Sequence, residues 1–323
     1  MKNTGIFFSM LTLIGCTTAQ STDVYQEHYV NDSESFNQLK HKQWYAGGLN
    51  CSSETANAID VQIINSTSYI LRQNKCLTFE APFIYVLVGN TKTLVFDTGA
   101  VADSRIIPLY ETIQQLIAKH APTQVNNSML VLHSHGHSDH IAGDKQFQSN
   151  TDITVVEPTK KAVQKLFNQH WPETTPSVDL GQRSVTLLAS PGHQEEAISL
   201  YDPKNKWLLT GDSLYPGLIY IKHWQAYRDS IKRLTAFAQQ HEVAAILGAH
   251  IEMSVTHGEV YPIGSTHHPK ETWLPMSLPE LQMLNSRLQQ SKEPSVMSFG
   301  RFIVQPMNNF QKILSNVARW LSQ

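Results

Sequence analysis

The chain has 323 residues, with 25 Lys and Arg against 27 Asp and Glu and a formal net charge of −2. That balance excludes a basic surface for tracking phosphates, so nucleic acid is not an expected partner. Hydrophobic residues make up 41% of the chain, enough at this length for one large core rather than a disordered tail.

Residues 1–15 read as a targeting segment. Lys2 supplies a positive start, and the apolar run from Gly5 to Ile14 is too short for a permanent membrane span. It ends in Leu13-Ile14-Gly15-Cys16, which resembles a bacterial lipobox whose cysteine is acylated. With Thr17 rather than Asp next, the resemblance implies an exported, periplasmic protein held at the outer membrane of a Gram-negative bacterium through lipid on Cys16. Ordinary secretion with cleavage near Ala19, or an uncleaved anchor, are the rival readings. With Cys16 lipidated, Cys51 and Cys76 remain, 25 positions apart, as a disulfide pair in an oxidising compartment or as two free buried thiols. Residues 16–50 are polar and read as a tether and an irregular or partly helical segment, with Trp44-Tyr45 as a packing patch.

From Ile59 the pattern changes. Short β-branched and aromatic runs beginning at Ile59, Ser68, Phe83 and Thr93 predict a strand meander that ends at Asp97-Thr98-Gly99. Asp97 either satisfies backbone donors in that turn or orients a metal-bound histidine. A helix is predicted over 106–120, with Ile106, Leu109, Ile113, Leu116 and Ile117 on one face. The apolar run 129–132 then leads into His133-Ser-His-Gly-His-Ser-Asp-His140.

Imidazole nitrogens and a carboxylate are ligands of first-row metals, zinc first among them, with iron or manganese possible. Four ligands within six residues crowd one ion, so His135 and His137 are assigned to one metal and Asp139 and His140 to another. The bland alternative is a histidine-rich surface loop, since the chain has 15 His.

Further strands are predicted at 153–157, 185–189, 199–201, 207–210 and 243–247, with helices over 159–170 and 227–240. Several end in a small residue and then a metal-ligating type: Gly192-His193, Gly211-Asp212 and Ala249-His250. Strand ends of one sheet rim supply the ligands that a two-metal site needs.

Taken in order, Asp97-Thr-Gly, His135-x-His-x-Asp-His, Pro191-Gly-His, Gly211-Asp and Gly248-Ala-His resemble the motifs of the metallo-β-lactamase superfamily, over about 59–257. The resemblance implies an α/β fold, a four-layer αβ/βα sandwich, here with a C-terminal extension. It implies domain limits of 1–15 (signal peptide), 16–50 (tether), 51–270 (hydrolase) and 271–323 (extension packed on the core). It implies two zinc ions, one held by His135, His137 and His193, the other by Asp139, His140 and His250, with Asp212 bridging and Asp97 orienting a ligand. His133 stands outside the set. The expected activity is hydrolysis of a small ester, thioester, lactone or amide by a metal-bridging hydroxide, with Asp139 and Asp212 catalytic. Asp212 at the bridging position argues against a dedicated β-lactamase. The alternative is a mononuclear iron dioxygenase-like protein or a non-catalytic metal-binding lipoprotein of the same fold.

Tyr215, Tyr220 and Lys222 are pocket candidates by their nearness to Asp212. Glu195-Glu196 could bind a cationic group, but adjacent charges read first as a solvated turn. His257, His267 and His268 read as loop histidines rather than a third metal site. Beyond Glu271, helices are expected near 278–290 and 309–321 with a strand or hairpin between. A small-molecule substrate is the expected partner; the oligomeric state is left open.

Overall fold

Strand β3 (Phe83–Val88) shows how the core is divided. Phe83, Tyr85 and Leu87 point into one buried cluster, and Ile84, Val86 and Val88 into another. A period of two with apolar residues on both faces makes a strand that must be covered on both sides. The computed structural model describes residues 34–53, 55–148, 150–168, 170–313 and 315. The targeting segment, Cys16 and the first part of the tether lie outside the described residues, as does most of the second half of the helix expected at 309–321.

The first sheet is six-stranded, in the order β1 (Ile59–Asn65), β2 (Ser68–Gln73), β3, β4 (Lys92–Phe96), β5 (Ser128–Leu132) and β6 (Ile153–Val155). It is antiparallel as far as β4 and parallel from there. Before it lies α1 (Glu34–His41), and between β4 and β5 runs α2 (Leu109–His120). The turn α3 (Ser138–Ile141) and helix α4 (Lys160–Leu166) flank β6.

The second sheet contains β7 (Ser177–Asp179), β8 (Ser184–Ala189), β9 (Ile198–Asp202) and β10 (Trp207–Gly211). Strand β11 (Leu218–Ile221) leaves it for a third sheet, helix α5 (Trp224–Gln240) returns along its outer face, and β12 (Ala245–Gly248) pairs in parallel with β10. Helix α6 (Leu278–Gln290) and strands β13 (Met297–Ser298) and β14 (Ile303–Pro306) complete the described elements, with β14 between β11 and β13.

Three apolar clusters explain the layering. Tyr85, Leu94 and Phe96 of the first sheet meet Leu187, Leu200, Trp207 and Leu247 of the second. The other face of the first sheet takes Leu109, Ile113 and Ile117 of α2. The other face of the second sheet takes Ile231 and Leu234 of α5 and Leu281, Leu284 and Leu288 of α6. The result is helix, sheet, sheet, helix: the αβ/βα sandwich the motifs imply. No helix among the described residues is long and apolar enough to cross a membrane.

Local chemistry sets the boundaries. Ile106 is 46% exposed and precedes the helix: Pro108 stands at the N-cap, so α2 starts at Leu109, three residues later than periodicity suggests. Thr159 caps α4 through its side chain, and Ser277 with Glu280 forms a capping box on α6. Strand β11 is a difference from the sequence reading; at four residues after Pro216 its alternation is too short to stand out. Cys51 and Cys76 are disulfide-bonded. Closing a loop across a separation of 25 residues stabilises the fold by roughly 3 kcal/mol in the chain-entropy model. Trp44 packs edge-on against Phe83 at 4.8 Å, which anchors the segment ahead of β1.

Candidate metal centre

The strands of both sheets deliver their polar ends to one edge. Strand β4 ends at Asp97, β5 at the histidine loop, β8 just before His193, β10 at Asp212 and β12 just before His250. Gly211 makes the close approach possible: at φ +50, any Cβ there would lie 2.3 Å from Ser134 Cβ. Gly192, at φ +155, similarly backs onto Tyr227 of α5.

Three overlapping groups of donor atoms lie within 4.8 Å of one another: His135, His137 and His193; His135, His140 and Asp212; and Asp139, His140 and His250. His137 Nδ1 is 3.0 Å from His135 Nε2 and 3.1 Å from His193 Nε2. Asp139 Oδ2 is 3.3 Å from His140 Nε2 and 3.2 Å from His250 Nε2. Asp212 faces both groups. Its Oδ2 is 3.8 Å from His135 and 3.6 Å from His193, and its Oδ1 is 3.6 Å from His140 and from His250.

The outward nitrogen of most rings is held. The His193 Nδ1–H donates to the Tyr220 carbonyl at 2.7 Å, and the His250 Nδ1–H to the Glu80 carbonyl at 3.1 Å. The His140 Nδ1–H donates to Asp97 Oδ2 at 2.9 Å. Asp97 also accepts from the Ser134 backbone N–H at 2.7 Å and from its hydroxyl at 2.9 Å. These bonds fix which nitrogen faces inward. His137 presents Nδ1 inward, and its Nε2 lies 3.3 Å from the Ser315 hydroxyl and 2.7 Å from the Gln194 side-chain amide.

The donor set fits divalent cations. Zinc bonds of about 2.1 Å in a tetrahedron separate donor atoms by about 3.4 Å, in the range of the contacts above. Asp212 Oδ1 is buried without a hydrogen-bond partner, which is costly for a carboxylate unless a cation meets it.

Electrostatics divides the rings into two sets. Burial, with the charge of His140, pushes His135 well below the usual histidine value. Burial and His193 bring His137 to about 3, and burial lowers His193. For His140 and His250 burial acts in the same direction but is overcome. Asp139, Asp97 and Asp212 hold His140 well above its ordinary value, and Asp212 and Asp139 raise His250 to about 9. Burial opposes ionisation of Asp139 and Asp212 too, yet the facing imidazoles keep both well below the carboxylate range.

The remaining candidates fall in different places. His133 is turned away, held between the Val156 carbonyl and Asp144. Tyr215 packs its ring 5.6 Å from His250 and shares its hydroxyl between the Leu218 carbonyl at 2.9 Å and Glu252 Oε2 at 3.2 Å, so it braces the site. Tyr220 contributes its carbonyl to His193. Lys222 is buried, with Nζ donating to Gln194 Oε1 at 3.1 Å. Glu195 is exposed and sits 3.5 Å from Lys160, as a solvated turn predicts. Glu196 corrects that reading: it is fully buried and accepts the Gly136 N–H at 3.1 Å, bracing the histidine loop. His268 is also buried, paired with Glu271, whereas His257 is exposed and His267 partly so. None of the three joins a donor group among the described residues. Ser134, Gln194 and the Glu80 carbonyl were not marked by the sequence. Only Ser134, lying inside the histidine motif, carried a signal.

A family model described as the metallo-beta-lactamase superfamily matches residues 77–250, which hold all seven donor residues. Hydroxyacylglutathione hydrolase of Bdellovibrio bacteriovorus is 33% identical over 85 residues, 26% of this chain and 34% of that protein. The enzyme of the same name from Legionella pneumophila strain Lens is 33% identical over 86 residues, 26% of this chain and 33% of that one. The chain thus spans about a third of the length of the curated relatives it matches. Among solved structures, a metallo-beta-lactamase from Pontibacter korlensis aligns over 72% of this chain and 100% of its own, with 17% identity and a TM-score of 0.48. With more than half of its length matched by the family model, the chain belongs to the metallo-beta-lactamase superfamily.

Proposed function

We propose that the protein is a dinuclear, zinc-dependent hydrolase of a small carbonyl substrate, a thioester first among ester, lactone and amide. The observation that carries this reading is the double facing of Asp212, one oxygen toward His135 and His193 and the other toward His140 and His250. His135, His137 and His193 are assigned to one cation, Asp139, His140 and His250 to the other, and Asp212 to both. Asp97 keeps His140 in the tautomer that can bind.

Bound there, two divalent cations supply an acidified water at neutral pH and polarise a carbonyl oxygen. The residues do the rest. Asp212 sets the spacing of the two groups and balances their charge. Asp139 keeps Oδ2 on His140 and His250, which leaves Oδ1 to relay a proton to the leaving group. Lys222 places a positive charge on the His137 and His193 side, where it attracts a polar or anionic end of the substrate. The preference for a thioester is supported by the name of the curated relatives, since an acylated glutathione is a thioester.

Release of free thiol from short acyl thioesters by the zinc-loaded chain tests the reading. Saturable turnover that a chelator abolishes and zinc restores is expected. A chain that carries zinc but releases no thiol, and cleaves no ester, lactone or amide, would contradict it.

We also propose that residues 1–15 are removed on export and that Cys16 is acylated, which tethers the protein to the outer membrane. The Cys51–Cys76 bond supports an oxidising compartment. Radiolabelled palmitate incorporation that disappears in Cys16→Ser is expected; label retained in that variant would overturn the assignment.

A further inference from the structure

A cavity of about 50 Å³ lies beside His250, lined among others by Lys75, Glu80, Tyr220, Glu252, Tyr261 and His268. It has room for a small head group rather than a whole substrate. Two contacts join it to the metal centre. The Glu80 carbonyl holds His250 Nδ1, and Tyr215, whose ring packs on His250, donates its hydroxyl toward Glu252 Oε2 at 3.2 Å. The Glu80 carboxylate is also close enough to feel the charges of Asp139 and His250.

The lining is short of donors. Glu252 Oε2 accepts from the Leu218 N–H at 2.8 Å, but Oε1 has no hydrogen-bond partner among the described residues. The Glu80 carboxylate has neither a hydrogen bond nor an ion pair among them. His268, 5% exposed, donates Nδ1–H to Glu271 at 2.9 Å, so its Nε2 is an acceptor, and that atom is buried without a partner. Three residues that line one cavity thus carry acceptor atoms with no donor assigned to them. Lys75 does not fill the role: its Nζ donates to the Phe79 carbonyl at 3.2 Å and stands 3.8 Å from Glu271. Of the three, the His268 Nε2 is fully buried, while Glu80 and Glu252 are half-buried; an unpaired buried acceptor is costly, and a ligand that brings N–H groups offsets that cost.

A single metal ion does not suit this geometry. Among the described residues, Glu80, Glu252 and His268 do not form a donor group within 4.8 Å of one another. An organic ammonium, with several N–H vectors and an apolar stem against the tyrosine rings, matches the spread acceptors and the aromatic walls.

We propose that this cavity is a subsite for the cationic amino group of the substrate, so that the substrate class is an ammonium-bearing ester, thioester or amide. This rests on the hydrolase reading above. The cavity adjoins His250, whereas Lys222 reaches the His137 end through Gln194, so the substrate would be held by opposite charges at its two ends.

The test is calorimetric titration of the full chain, zinc-loaded and metal-free, with butylammonium chloride and with its neutral isostere 1-butanol. Saturable binding of butylammonium, at least ~10-fold tighter than 1-butanol, is expected in both metal states. Glu80→Gln and Glu252→Gln should each weaken it by ~10-fold or more. Glu80→Gln keeps the backbone carbonyl that holds His250 and breaks no side-chain hydrogen bond, so it remains informative where Glu252→Gln disturbs folding. Equal binding of the two probes, or a preference untouched in Glu80→Gln, would overturn the subsite. Because binding is read without turnover, the two failures separate. A chain that prefers butylammonium but hydrolyses nothing keeps the subsite and loses the hydrolase. A chain that hydrolyses thioesters but ignores butylammonium does the reverse.

Discussion

Asp97 and His140, 43 residues apart in sequence, meet at 2.9 Å through Asp97 Oδ2 and the His140 Nδ1–H. The same carboxylate accepts two bonds from Ser134, so the turn after β4 and the histidine loop after β5 are locked to each other. Both ends of this link are buried. Its consequence is that His140 Nε2, not Nδ1, faces Asp139, Asp212 and His250.

Replacing Asp97 by Ala removes the acceptor for three donors. The Asp139, His140 and His250 group should lose roughly 10- to 100-fold in metal affinity. Competition with a graded chelator checks this, with the His135, His137 and His193 group retaining its affinity as the internal control. Equal weakening of both groups would mean that Asp97 acts on the fold and not on His140.

Gly211→Ala addresses how the site closes. The added methyl would sit 2.3 Å from Ser134 Cβ, at a backbone angle that L residues rarely adopt. Either the β10 end or the histidine loop must shift, and a cost of roughly 1–3 kcal/mol is expected from strain and overpacking. Denaturant unfolding measures the stability, and metal content measures whether Asp212 still reaches both groups. An unaltered midpoint with full metal content would contradict the packing assigned here.

Behind the cavity residues Lys75 and His268, Arg72 and Glu271 form a buried bidentate pair at 2.5 and 2.7 Å, with Lys75 3.8 Å from the same carboxylate. Burial alone would raise the Glu271 pKa, but Arg72, His268 and Lys75 together bring it to about 2. The folded value is below the unfolded one, so this stabilisation is complete above the unfolded pKa and is lost as pH falls through about 2. The shift corresponds to about 3 kcal/mol. Lys75 runs the other way. Burial and Arg72 lower it to about 8, so its penalty is relieved, and stability rises, as pH climbs from 8 toward 10.5. Glu271→Gln leaves two buried cations without their counter-charge and should cost roughly 3–5 kcal/mol. Unfolding curves across pH read both effects. A Glu271→Gln protein with an unchanged acid limb would contradict the account.

The seven donors were legible because they fall in four short stretches, beginning at His135, His193, Asp212 and His250, each after an apolar strand and a small residue, and chemistry confined to His and Asp stands out against such a background. The sandwich was legible through the resemblance that the motifs carry; strands apolar on both faces, such as β3, are the physical reason for its layers. Other parts were hidden for physical reasons. Glu80 contributes a backbone carbonyl, which no side-chain pattern announces. Glu196 looks like half of a solvated acidic pair, yet tertiary packing buries it under Gly136. Strand β11 is recognisable only through its partner β14, 85 residues later in register. Tyr215, Tyr220 and Lys222 lie close to Asp212 in sequence, but that proximity could not tell a brace from a lining residue.

Metal content by mass spectrometry, on the full chain and on Asp212→Ala purified side by side, tests the central claim most directly. Two zinc ions per chain, falling to one or fewer in the variant, is the predicted result, because one carboxylate then serves both groups. A single ion in both proteins, or two retained without Asp212, would contradict the bridged pair of sites.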